Sequence, residues 1–140
     1  MSTIPTPSAL DQLLLDIFTT ALEGGINYWS SCDSYKWAWA SALDHYADGR
    51  LVHEDHKGFH ANIVNIVAED DERYGMHYQI NRAVMARGYS LASTTWRDKL
   101  VWSSGEKPSL VVGPETDWDY DAGDADMIVQ LGLFGDVIYS

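Results

Sequence analysis

Ser8-Ala9-Leu10-Asp11-Gln12-Leu13-Leu14-Leu15-Asp16-Ile17-Phe18-Thr19-Thr20-Ala21-Leu22-Glu23-Gly24-Gly25 is the stretch on which the fold turns. Within it Leu10, Leu13, Leu14, Ile17, Phe18, Ala21 and Leu22 recur at helical spacing and make one unbroken apolar stripe. Ser8 followed three residues later by Asp11 resembles a capping box with Asp in place of Glu, and Pro5 and Pro7 stand outside it. Gly24 and Gly25 read as the stop, because glycine accepts the left-handed conformation that a helix terminus often needs. Such a helix must bury its stripe, so Leu14, Ile17 and Phe18 are expected deep in the core.

Strands to receive that stripe follow directly. Tyr28, Trp29, Tyr35, Trp37 and Trp39 crowd one short interval, and Tyr35, Trp37 and Trp39 alternate with Lys36 and Ala38 as in a half-buried strand. The polar interval Ser30–Ser34 reads as a turn between strands or an irregularity within one. Residues 43–58 read as a polar connection with at most a short strand at Leu51–Val52. Phe59–Ala68, rich in Val and Ile, reads as a strand closed by the acidic run Glu69–Glu72. Met76, Ile80, Ala83 and Val84 recover helical spacing, with Arg87-Gly88 as the helix end. Ser93–Trp102 is a further candidate helix, and Leu110–Val112, between Pro108 and Pro114, a short strand. Acids at Asp121–Asp126 suit a helix N-terminus, Met127–Phe134 supplies its body, Gly135 ends it, and Val137–Tyr139 forms a terminal strand. The order predicts one α+β domain over residues 1–140: a small, mainly antiparallel sheet packed by the N-terminal helix and two or three further helices.

Composition narrows the function classes. The 140 residues carry 9 Lys and Arg against 21 Asp and Glu, a net charge of −12. That field repels phosphate backbones and argues against general nucleic-acid binding. The basic stretch Arg82, Arg87, Arg97 and Lys99, beside Trp96 and Trp102, reads as a solvated face. No segment has the roughly 18 uncharged apolar residues of a membrane span. A basic leader region is absent and the single Cys32 has no disulfide partner within the chain, so a reducing cytoplasm is expected.

Four sets of residues bear on chemistry. His53, His56 and His60, with Glu54 and Asp55 between, form the densest group of metal-ligand types. The pair His56 and His60 has the spacing of a helical metalloprotease, yet Lys57 stands where its Glu would be and Gly58 weakens a helix, so a solvated loop is the simpler reading. Asp117-Trp118-Asp119-Tyr120-Asp121 begins like a calcium loop, but Ala122 takes the obligatory glycine position and Ile128 that of the bidentate Glu. Extended, that segment points its acids one way and Trp118 and Tyr120 the other, and an aromatic face packed on the core with an acidic face in water is the simpler reading. Cys32 matches no nucleophile signature, and the phosphate and dinucleotide glycine motifs are absent. The sequence therefore predicts no catalytic residue, no cofactor and no metal site. Six tryptophans and eight tyrosines instead suit protein contacts, with some tryptophans in the core.

Two stretches resemble small uncharacterised accessory proteins of actinobacteriophages: Thr19-Thr20-Ala21-Leu22-Glu23-Gly24-Gly25-Ile26-Asn27-Tyr28-Trp29-Ser30, and the ending Asp124-Ala125-Asp126-Met127-Ile128-Val129-Gln130-Leu131-Gly132-Leu133-Phe134-Gly135-Asp136-Val137-Ile138-Tyr139. The resemblance implies an accessory protein made in the cytoplasm of a bacterial host and carries over no site residue. The expectation is a non-enzymatic protein that contacts a basic protein partner, a host or defence factor, through Asp117, Trp118, Asp119, Tyr120 and Asp121. Mimicry of DNA is a special case that needs the carboxylates on one continuous face. Alternatives are a small metal-dependent enzyme using His53–His60 or the Asp117–Asp126 acids, and a virion or assembly component; a homo-oligomer stays open.

Overall fold

The computed structural model describes residues 9–36, 59–67, 71–113, 116 and 118–139. Helix α1 spans Ala9–Thr20 and runs on into a π turn over Ala21–Gly25. Strands β1 (Ser30–Lys36), β2 (His60–Asn65) and β3 (His77–Asn81) follow, then α2 (Arg82–Ser93) and α3 (Ala122–Phe134). The strands form an antiparallel sheet in the order β1-β2-β3. The α+β architecture with an N-terminal helix is thus what the residue pattern predicts.

Leu14, Ile17 and Phe18 are fully buried, as the stripe requires. The helix reaches the strands through Phe18, whose ring lies 4.4 Å from that of Phe59 just before β2, and otherwise packs on α2 and α3. Arg82 at the start of α2 donates from Nε to Asp11 at 2.6 Å, tying the two helices at their polar edge. In β2 the period-two pattern is clean: Ala61, Ile63 and Asn65 face the core. Pairing of β1 with β2 runs from Ser30 opposite Asn65 to Lys36 opposite His60, with an irregularity at Asp33 between Cys32 and Ser34. The polar Ser30–Ser34 interval is therefore a bulged strand and not a turn. Outside the described residues lie Ser8, the Trp37–Trp39 end of the predicted strand and the 43–58 connection.

Several local expectations change. The helical spacing from Met76 belongs to strand β3, because Ile80 faces the core and Tyr78 sits half-buried on the same side. The helix begins only at Arg82, where the Asn81 side chain accepts from the Val84 amide at 2.9 Å. It does not end at Gly88 but runs through to Ser93, so Ser93–Trp102 is a series of turns and not a helix. Leu110–Val112 and Val137–Tyr139 lie outside any ladder. The last helix is as predicted: Asp121 and Asp124 form a reciprocal capping box, and Gly135 closes it at φ 74°.

Glycines decide how the helices meet. A Cβ on Gly88 would stand 2.1 Å from the Ile128 carbonyl oxygen, and one on Gly132 would stand 2.2 Å from that of Val84. The backbones of α2 and α3 touch there. Gly25 serves the same purpose, with Ala122 O 2.7 Å from its would-be Cβ, so steric room and not a left-handed turn is what it provides. Gly24 meets nothing within 4 Å. Gly88→Ala should therefore destabilise by about 1–3 kcal/mol, overpacking outweighing the roughly 1 kcal/mol of helix propensity that alanine gains. Gly24→Ala should be neutral or stabilising. Leu14→Ala, which opens a cavity, should cost about 2–5 kcal/mol. Urea midpoints of the three variants check the order; equal midpoints for the two glycine variants would refute the contact.

Candidate docking surface

The body of α3 reads as apolar, yet it holds two buried polar residues one turn apart, Asp126 and Gln130. Their partners come from far along the chain. Asp126 accepts from the Trp29 indole N–H at 2.8 Å, the Tyr28 hydroxyl at 2.5 Å and Gln130 Nε2 at 2.9 Å. Gln130 Oε1 accepts from the amides of Ile138 and Tyr139, both at 2.8 Å, and its Nε2 also donates to the Tyr139 carbonyl at 3.0 Å. The Tyr139 ring stacks on Trp29 at 5.4 Å, and its hydroxyl accepts from Asn65 Nδ2 at 2.9 Å. One network joins the start of β1, the end of β2, α3 and the C-terminal residues.

Directly above it lies one end of the sheet. The Ile66 amide donates to Trp29 O, the Asn65 amide to Met76 O and the Gly75 amide to Asn65 O, each at 2.9 Å. Those rungs bring the backbone at residues 29, 65–66 and 75–76 together at one end of the sheet, where Tyr28, Ile66, Tyr74 and Met76 stand. All four remain open to solvent: Tyr28 is 50%, Ile66 47%, Tyr74 47% and Met76 48% exposed. Large apolar side chains left exposed at one end of a sheet are candidates for a contact surface. Their surroundings are acidic. Asp71 caps the Arg73 amide at 2.7 Å, and Glu72 and Asp136 project into solvent. Arg73 is occupied, 3.3 Å from Glu72 and 5.7 Å over the Phe134 ring.

The segment singled out from sequence is split by its environment. Asp117 lies outside the described residues. Trp118 is only 7% exposed, packs against Tyr89, Trp102 and Tyr120, and donates its indole N–H to Glu106 O at 3.0 Å. It is a core residue, not an open anchor. Asp121 is the cap of α3, with its carboxylate on the Asp124 amide at 2.9 Å. Asp119 is exposed, and Tyr120 sits half-buried beside Thr20 and Asp16 of α1, so these two keep a free side. Of the histidines, His53 and His56 lie outside the described residues, while His60 sits half-buried in β2 opposite Lys36 and Asn81. Among the described residues no three His, Cys, Asp or Glu side chains are grouped to hold a metal ion. Partial burial pushes the Cys32 thiol upward, away from the thiolate a nucleophile needs. No described helix is long and apolar enough to cross a membrane.

Tyr28, Ile66, Tyr74, Met76, Asp126 and Gln130 escape a reading of sequence alone. One signal was present: Asp126 and Gln130, four apart, are the polar interruption of an otherwise apolar helix body. Compared with protein-family models, curated proteins and solved structures, the chain finds no match.

Burial pushes the Asp126 carboxyl upward, against three hydrogen bonds that favour its charged form. The folded chain therefore keeps a proton there that the unfolded chain releases. The contribution of this group to stability is full below 3.8, its ordinary value, and is lost as pH rises through the raised folded value. Asp126→Asn keeps the shape and does not titrate. Wild type should accordingly lose stability relative to Asp126→Asn as pH climbs through that window, read from urea midpoints at each pH. Wild type gaining stability relative to Asp126→Asn as pH rises would show the opposite sign of coupling.

Proposed function

We propose that this chain is a non-enzymatic phage accessory protein that acts in the host cytoplasm by binding a basic protein partner, a host or defence factor. The observation that carries the reading is that four large apolar side chains at one sheet end, Tyr28, Ile66, Tyr74 and Met76, are each about half-exposed, with the acids Asp71 and Glu72 in the turn that carries Tyr74. Aromatic and aliphatic anchors supply affinity once buried, and surrounding charge steers encounter. A partner that is apolar at its centre and basic at its rim complements both. A surface with apolar residues at its centre favours a protein contact over mimicry of DNA, which asks for carboxylates in a continuous row. Asp119 and Tyr120, next to Asp16, extend the same acidic character to a second site. The resemblance to actinobacteriophage proteins supports the setting.

Two variants separate affinity from steering. Ile66→Ser, Tyr74→Ser and Met76→Ser combined should abolish capture of the partner from host lysate while leaving the melting temperature within a few degrees. Glu72→Gln with Asp136→Asn should slow association and flatten its salt dependence, with little change in dissociation. Surface plasmon resonance with the captured partner reads both. A partner that binds the triple variant as tightly as wild type would refute the assignment.

A further inference from the structure

We infer that Asp126 and Gln130 are positioning residues that couple the C-terminal residues Asp136–Tyr139 to Tyr28, so that the tail and the docking surface are held or released together. The geometry argues it link by link. Gln130 is fully buried and uses both ends of its carboxamide. Its oxygen takes two tail amides, which forces its nitrogen to face Asp126. An amide turned the other way would set its N–H groups against those of Ile138 and Tyr139 and its oxygen against a carboxylate. Asp126 thus selects the only orientation of Gln130 that binds the tail. The same carboxylate takes the Tyr28 hydroxyl, and Gln130 Nε2 also lies 3.3 Å from that hydroxyl.

Backbone pairing contributes nothing to this attachment among the described residues: after the left-handed Gly135 the tail joins no ladder, and the Gln130 side chain stands in for a strand partner. Its remaining ties are the stack of Tyr139 on Trp29 and the hydroxyl contacts to Asn65 and, at 3.5 Å, to Asp71. Tyr28 is half-exposed among the apolar residues of the surface, so its position is what a partner would meet. By reciprocity, a partner that holds Tyr28 in place tightens the tail. That last consequence rests on the docking surface proposed above; the coupling itself does not.

Amide hydrogen exchange on the intact chain tests it. Tyr28→Phe deletes a group that bonds neither tail amide, yet it should speed exchange at Ile138 and Tyr139 about tenfold relative to Ile63 and Leu131, since a buried hydrogen bond to the Asp126 carboxyl is lost from the network. In the reverse direction, Ile138→Pro removes one N–H from Gln130 Oε1 and should shift the Tyr28 ring resonances. Tyr89→Phe, which loses a hydroxyl bond to Ser109 O elsewhere, should leave tail exchange unchanged. Unaltered Ile138 and Tyr139 exchange in Tyr28→Phe would overturn the coupling, as would uniform acceleration across all four amides. Failure of the docking surface reads out separately, as a partner indifferent to the Ile66, Tyr74 and Met76 substitutions while the tail amides still respond to Tyr28→Phe.

Discussion

The contact between the backbones of α2 and α3 at Gly88 and Gly132 is the constraint from which most of the molecule follows. Two helices that meet backbone to backbone cannot slide or rotate without driving a carbonyl into the neighbouring chain. Fixing α3 against α2 fixes which of its sides face the sheet, and hence where Asp126 and Gln130 emerge. A third close approach, Gly25 on the first turn of α3, registers the end of the N-terminal helix against the same element. Tyr28 and Trp29 follow three and four residues later, at the distance their hydrogen bonds to Asp126 demand. Small residues at helix crossings thus set the geometry of a polar network that contains no glycine.

That network is an unusual commitment for a chain of net charge −12. Among the described residues, the partners of the buried Asp126 carboxyl are an indole, a phenol and a carboxamide, and no cation. Neutral donors satisfy its lone pairs without adding a second buried charge, which avoids the desolvation of an ion pair. The arrangement costs free energy against an apolar filling, yet it also admits one packing of the C-terminal residues and excludes others. Buried polar groups trade stability for uniqueness in this way when every member is satisfied.

What could be read from sequence follows the range of the interactions involved. The stripe from Leu10 to Leu22 and the caps at Asp121 and Gly135 are local, and both survive folding unchanged. Met76–Val84 misleads because a short strand running into a helix can place apolar residues at spacings that satisfy either period; the sheet settled it through Ile80. The alternation of Trp118 with acids puts an aromatic side on the core, and the structure bears this out at Trp118, which leaves it unavailable as the partner anchor it is also offered as. Asp126 lies 97 residues from Trp29 and 98 from Tyr28, so no window of sequence brings them together. The proposed docking surface is equally nonlocal, drawn from the residues before β1, the end of β2 and the turn leading into β3.

The irregularity in β1 has a consequence for how copies of this protein meet. Among the described residues β1 is an edge strand, and an edge offers unpaired amides and carbonyls to any neighbour. At Asp33 the register slips, so the row of backbone groups is broken midway, and the exposed carboxylate stands at the break. A second molecule attempting to extend the sheet along β1 would meet a kink and a stronger twist there. Breaking the row blunts the β1 edge as a template for fibrous self-pairing.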